Sequence, residues 1–369
     1  MKRIFAIIFC FLYLALASAV DNSPLFIIWT AEGYYGFINN SGEIVIHPKF
    51  SNAGNFSEGL AAVALDGKWG YINNNGRIVI NCQFDQAGPF MQDLAAVSIG
   101  GKWGYINKKG EFYIKPQYNE AGNFSQRLTA VQVGKKWGYI DAYGNSLIKP
   151  EFDEAYEFSK DLALVRIGKK WGYIVDTGSI IIAVKGFEDA YSFSESGLAP
   201  VKDKGKWGYI NVIGEMEIKP QFDAAGSFSE NLAPVQIGSL CGYVNKSGKI
   251  TITPQFDSAG IFSEGTAPVK RDGKWGFINK KGEIIINNQY NLVSNFKNGL
   301  CWWIKEDNWG YIDKKGNTVW QMYDDKMDIN SKTMSAALKA YEDLEEEINS
   351  LYKDVEEIGP KQQLEKYKK

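Results

Sequence analysis

The sequence predicts an all-β tandem-repeat array followed by a C-terminal α-helix. The array is expected as an open, solenoid-like superhelix of about nine three-stranded units, with a closed, propeller-like ring as the alternative. Three observations carry this. A Trp-Gly pair or its equivalent returns after 34 residues seven times and after 36 residues once. Within each copy, short runs of alternating large and small or apolar and polar residues are separated by turn signals. After Trp320 the aromatic and glycine pattern stops and Lys, Glu, Asp, Leu and Ala take over.

Residues 1–19 read as a secretory signal. Lys2 and Arg3 precede an apolar run from Ile4 to Ala17, and the small-residue triplet Ala17, Ser18, Ala19 is followed by polar Asp-Asn-Ser. Cleavage after Ala19 leaves Val20 as the first mature residue. An uncleaved anchor is the rival, for which the run is short against a span of about 20 residues. Cys10, with Ile8 and Phe9 before it, is a poor match to a lipoprotein cleavage site. The expected compartment is the far side of an export membrane, periplasmic or extracellular. Cys82, Cys241 and Cys301 occupy non-equivalent places in the repeat and are odd in number, which argues against a disulfide framework and for small apolar residues. With 41 basic and 43 acidic side chains, the electrostatic basis for nucleic-acid binding is missing.

Nine repeats occupy residues 20–320. Their frame begins at Tyr35, Trp69, Trp103, Trp137, Trp171, Trp207, Cys241, Trp275 and Trp309. The next residue is glycine in every copy (Gly36, Gly70, Gly104, Gly138, Gly172, Gly208, Gly242, Gly276, Gly310), and so is the residue seven past the frame start (Gly42, Gly76, Gly110, Gly144, Gly178, Gly214, Gly248, Gly282, Gly316). The glycines vary less than the tryptophan. Trp-Gly-Tyr-Ile-Asn is a strand whose glycine marks a close approach by another backbone or a ring. Asn-Lys-Lys-Gly is a turn, with Gly110 where a positive φ is needed. A second alternating run follows it (Ile78, Ile80), and Leu-Ala-Ala-Val leads through Asp66-Gly67 into Lys68-Trp69. A connector of the form Pro254 to Gly265 joins successive units and carries a recurrent phenylalanine (Phe56, Phe90, Phe124, Phe158, Phe193, Phe228, Phe262, Phe296), a packing anchor. The two extra residues of the longer unit fall around Lys185-Gly186 and Ser194 to Gly197, where length is cheap.

The KWGYI core and the FSEGLA-type connector resemble the WG repeat, also called the KWG repeat, over about residues 25 to 320. The resemblance implies a β-rich bacterial array, often exported, with no established catalytic activity and a binding or scaffolding role. Tyr35 and Cys241 depart from its consensus. Three strands in nine units give about 27 strands, too many for one open sheet. Nine three-stranded units also fit poorly the usual four to eight four-stranded blades of a propeller, so the open array is preferred.

Residues 321–330 read as a linker, 331–358 as an acidic heptad helix and 359–369 as a polar basic tail. Met334, Ala337, Tyr341, Leu344, Ile348, Leu351, Val355 and Ile358 alternate spacings of three and four. That seam either caps the open array or pairs with a second chain; a monomer is expected, with a homodimer through the helix as the alternative.

His47, the single histidine, sits where other copies hold Lys115, Asn81 or Thr253, as a surface strand-end residue. No histidine pair, Cys-x-x-Cys, nucleophile elbow or phosphate loop occurs, so no catalytic, cofactor or metal residue is nominated and the chain is expected not to be an enzyme. The recurrent carboxylates (Asp85, Asp153, Asp223, Asp257; Glu58, Glu195, Glu230, Glu264) read as turn chemistry rather than as one special pair. Two binding roles remain. One is a protein-interaction scaffold that uses the side chains that vary between copies. The other is a cell-wall or surface glycan stacked on repeat aromatics, against which the Trp slot is expected to be mainly core. Lys68, Lys102, Lys136, Lys170, Lys206 and Lys274 form a candidate binding ladder for an anionic polymer, or a solvated row beside a turn.

Overall fold

The structure, a computed structural model, describes residues 23–183 and 187–322. The second unit shows how the sequence builds each repeat. Strand β1 (Phe26–Trp29), β2 (Tyr35–Ile38) and β3 (Ile44–Phe50) form the first sheet; β4 (Asn52–Ala53), β5 (Leu60–Leu65), β6 (Lys68–Asn73) and β7 (Ile78–Phe84) form the second. Asp66 and Gly67 both take positive φ, 50° and 74°, making the tight turn whose twist suits a hairpin between β5 and β6. Asn73 makes the next turn, its Oδ1 accepting the amides of Asn75 and Arg77 at 3.1 and 3.0 Å. In β6 the register against β7 slips on either side of Tyr71. Gly70 lies at that irregularity, and a Cβ there would stand 2.5 Å from the Ile80 carbonyl oxygen.

The connector does more than link units. Its residues Asn52 and Ala53 pair with Ala64 and Val63, adding a fourth, two-residue strand to the sheet. Ser57 and Leu60 then exchange backbone hydrogen bonds around Glu58 and Gly59, at φ 51° and 83°, closing a second tight hairpin. The expectation of three strands per unit is thus corrected to four in every sheet after the first. A two-residue strand has no alternation for a sequence pattern to reveal. In the sixth sheet the same hairpin is one residue longer, Ser194 donating to the Leu198 carbonyl, where the 36-residue unit carries part of its extra length.

The sheets pack face to face, so both faces of each interior strand are covered: Tyr71 and its neighbour Ile72 are both 0% exposed. Each contact repeats one device. The Tyr71 hydroxyl donates to the Gly88 carbonyl of the next sheet at 2.8 Å, while its ring meets that sheet's Phe90 edge-on with centroids 4.8 Å apart. Tyr105, Tyr139, Tyr173, Tyr209 and Tyr243 do the same. Tyr311, in the ninth sheet, donates to the Ile27 carbonyl of the first at 2.7 Å, across 284 residues. Around that bond Trp29 stacks on Trp309 with centroids 3.4 Å apart, and Phe26 meets Tyr311 at 5.5 Å.

The nine sheets are therefore the blades of a closed β-propeller, and the open superhelix is overturned. The physical reason lies in the terminal units, whose faces are as apolar as the rest. Phe26, Ile28 and Ile38 from the first blade share one core with Leu300, Ile304 and Trp309 from the last. In an open array both faces would meet water, whereas the ring buries each against the other. Among the described residues no strand crosses this seam: the first blade has its own three strands and the last its own four. Among the described residues there is no helix, and none long and apolar enough to cross a membrane. The signal at 1–19, the helix at 331–358, the tail at 359–369 and most of the 321–330 linker lie outside the described residues.

Candidate functional site

Two sets of repeated polar residues can be followed around the ring. The first follows the connector aromatic. Asp85 Oδ1 takes the Lys68 ammonium at 2.5 Å and Oδ2 takes the Gly100 amide at 2.7 Å, so Lys68 first and then the amide hold its carboxyl below the usual range. Asp153 repeats this with Lys136 and Gly168, and Asp223 with Lys206 and Gly238. Asp257 caps Gly273 at 3.3 Å, and Asn291 takes both Lys274 and the Glu306 amide. Lys68, Lys136, Lys206 and Lys274, four of the six ladder lysines, thus reach the residue that caps the hairpin turn of the next blade, so this set also ties neighbours together; Lys102 and Lys170 complete the row.

The second set ties neighbouring blades at the connector hairpins. Glu58 accepts the Gln92 and Asp93 amides of the next blade at 2.7 and 3.0 Å. Glu230 and Glu264 accept Gly265 and Gly299 in the same way, and Gln92 and Gln126 do so for Arg127 and Asp161. Lysines fifty residues further on complete the link: Lys108 to Glu58, Lys280 to Glu230, Lys314 to Glu264. Burial alone would raise the Glu264 carboxyl, but Lys314 and the Gly299 amide outweigh it and hold it low. Asn40 closes the circuit onto the Asn298 carbonyl across the seam. Glu195 pairs with Lys160 at 2.5 Å. These rim amides and the tyrosine hydroxyls escaped sequence reading, although their 34-residue recurrence was on the page.

The Trp slot divides into two groups. Trp207, Trp275 and Trp309 are buried, whereas Trp69, Trp103, Trp137 and Trp171 are half-buried. Tyr191 stacks on Trp207 at 4.9 Å, where Trp69, Trp103 and Trp137 have glycines in the corresponding connector place, Gly54, Gly88 and Gly122. Tyr35 packs against the core of the first and second blades. Cys241, Cys82 and Cys301 are free thiols; burial pushes Cys241 up to about 11 and Cys301 to about 12. His47 is exposed on β3.

An open cleft of about 700 Å³ runs across the fourth, fifth and sixth blades beside these hairpins. Trp137 and Tyr156 supply its aromatic surface, and Glu120, Glu157 and Glu195 its acids. The family model for the WG containing repeat matches residues 35–69, 69–103, 103–137, 137–171, 171–207, 207–241, 242–275 and 275–308.

The chain belongs to the WG-repeat family. Each WG repeat runs from the second long strand of one blade to that of the next, so a sequence unit straddles two blades. No curated protein matches the sequence. Among solved structures, a eukaryotic initiation factor is similar at a TM-score of 0.61 and 11% identity over 82% of this chain and 96% of that one, a likeness of fold. Hsv2 of Kluyveromyces lactis aligns at 0.41 and 10% identity over 63% and 94%. The dihydro-heme d1 dehydrogenase NirN aligns at 0.46 and 12% over 83% and 74%.

Proposed function

We propose that this WG-repeat propeller is an exported, non-enzymatic scaffold that binds a partner protein on the connector rim. The observation that carries the reading is how polar groups are used. The recurrent carboxylates each have a structural partner, an amide or a lysine. Two of the positions that line the cleft instead change from blade to blade: Gly122 against Tyr156, and Glu120 against Asp189 and Ala224. A surface that differs between otherwise equal units is what an extended, asymmetric partner needs. Export rests on residues 1–19, and intact mass of the protein recovered outside the cytoplasm should begin at Val20.

The test is recovery of crosslinked partners from envelope extract by the full mature chain and by a Tyr156→Lys variant. The reading expects a polypeptide that the wild type retains and the variant loses. Retention of carbohydrate alone would support the second reading, glycan stacking, which the half-buried Trp69, Trp103 and Trp137 favour. Indole fluorescence that neither a soluble quencher nor added glycan alters would remove that reading.

A further inference from the structure

Blade five contains a complete internal arrangement for holding a guanidinium. Glu154 pairs across the sheet with Arg166, and Arg166 with Trp171. The Arg166 Nε donates to Glu154 Oε1 at 2.9 Å and its guanidinium carbon stands 5.8 Å from the Trp171 ring. Glu154 thereby holds the Arg166 charge more firmly than usual. Blade six has Asp189, Lys202 and Trp207 in the same three places, and blade eight has Ser258, Lys270 and Trp275, with Lys270 Nζ 6.0 Å from the ring.

Blade four keeps two of the three. Glu120 pairs with Gln132, and Gln132 with Trp137, so an acid and an indole flank a neutral amide where blade five has its arginine. The other blades do not match this: blade two has Asn52, Ala64 and Trp69, blade three has Gln86, Ser98 and Trp103, and blade seven has Ala224, Gln236 and Cys241. Glu120 is exposed and Trp137 half-buried, and both line the 700 Å³ cleft with Tyr156 and Glu157. The charges facing that space are Glu120, Glu157, Glu195 and Lys160, of which Lys160 is taken by Glu195. The cleft therefore offers an indole, a phenol and a negative balance, the combination that recognises an organic cation.

We infer that the blade-four cleft binds an arginine side chain of a partner polypeptide, which completes with Glu120 and Trp137 the set that Arg166 completes with Glu154 and Trp171. This rests on the scaffold reading and names the chemistry of its partner. A lone side chain on such a site binds weakly, so affinity for the whole partner comes from flanking contacts on the rim.

The probe is the acetylated, amidated tripeptide Gly-Arg-Gly, titrated onto the full mature chain and followed by indole NMR or fluorescence, with the neutral citrulline isostere as control. Binding of the arginine peptide and about tenfold or greater weakening with citrulline are expected. Glu120→Gln should weaken binding by a similar factor. Gln132→Arg should abolish it while leaving the melting temperature unchanged or raised, because the site is then filled from within, which separates loss of binding from loss of fold. Equal binding of citrulline, full binding by Gln132→Arg, or no binding of the arginine peptide at millimolar concentration would overturn the inference. If Gln132→Arg loses the peptide yet retains the crosslinked partner, the inference about that partner fails and the scaffold reading stands. If the peptide binds and no polypeptide is recovered from extract, the cleft stands and the scaffold reading fails.

Discussion

Removing the Tyr311 hydroxyl tests ring closure directly. Tyr139 and Tyr311 make the same contact, one inside the chain and one across the seam: the Tyr139 hydroxyl reaches the Tyr156 carbonyl at 2.8 Å and Tyr311 reaches Ile27 at 2.7 Å. Both phenols are pushed upward by burial, so both donate as neutral groups. Changing either to phenylalanine keeps the ring and leaves a carbonyl without its donor, at a cost of about 1 to 2 kcal/mol. For a chain of this size that is a fall in Tm of roughly 2 to 6 °C. Trp29→Ala goes further, since it strips the indole stacked on Trp309, which is fully buried. With Trp29 itself only half-buried, its loss is set at about 2 to 4 kcal/mol, toward the lower part of the range for buried aromatics. Scanning calorimetry on wild type, Tyr139→Phe, Tyr311→Phe and Trp29→Ala should give one shared transition, with the two phenylalanine variants lowered alike. A silent Tyr311→Phe beside a destabilised Tyr139→Phe, or a separate early transition in Trp29→Ala, would mean that the first and last blades do not meet.

The two glycine positions should rank differently from each other. A Cβ at Gly104 would lie 2.4 Å from the Ile114 oxygen and 2.6 Å from the Pro116 nitrogen, all backbone. At Gly110, φ +81°, it would meet the movable Ile80 Cγ2 at 2.9 Å. Urea titration should show Gly110→Ala losing about 1 to 2 kcal/mol, Gly104→Ala losing more, and Trp103→Tyr the least; Gly104→Ala as mild as Trp103→Tyr would refute the steric argument. Acid should weaken the ring through Asp85, Asp153 and Asp223. Their carboxyls titrate below the unfolded value of 3.8, so their contribution is full above that value and is lost as pH falls through their folded pKa. Replacing all three with Asn, which still accepts the turn amide as Asn119 does for Gly134 at 2.9 Å, should flatten the acid limb of a Tm-versus-pH curve; an unchanged limb would assign acid sensitivity elsewhere.

The family, the repeat frame and the hairpins were legible because each is local: Asp66-Gly67 and Asn73 to Gly76 set their own dihedrals. The fourth strand was not, since Asn52 and Ala53 are too few to show a period. Closure was misread for another reason. Nine units counted as three-stranded fitted the usual propeller blades poorly and so favoured an open array, but the unseen fourth strand removes that objection and a ring can close on side chains alone. The better signal was that Phe26, Ile28 and Trp309 are as apolar as any interior unit, leaving end faces that something had to cover. The candidate cleft was out of reach, because a difference such as Gln132 against Arg166 acquires meaning only once Trp137 and Trp171 are placed beside them.

Because no described strand is exchanged at the seam, the place where the ring is broken between Ser23 and Met322 is arbitrary with respect to the blades. Phe26 and Tyr311 meet as neighbours elsewhere do, through rings and one hydroxyl, so the junction is one more face-to-face contact rather than a clasp. Linking residues near Ser23 and Met322 and cutting instead within another connector would relocate the break without removing a single ladder of backbone bonds. The topology therefore admits circular permutation, and the break is cheapest at the longer Ser194 to Gly197 hairpin, where the circuit of rim amides is already irregular.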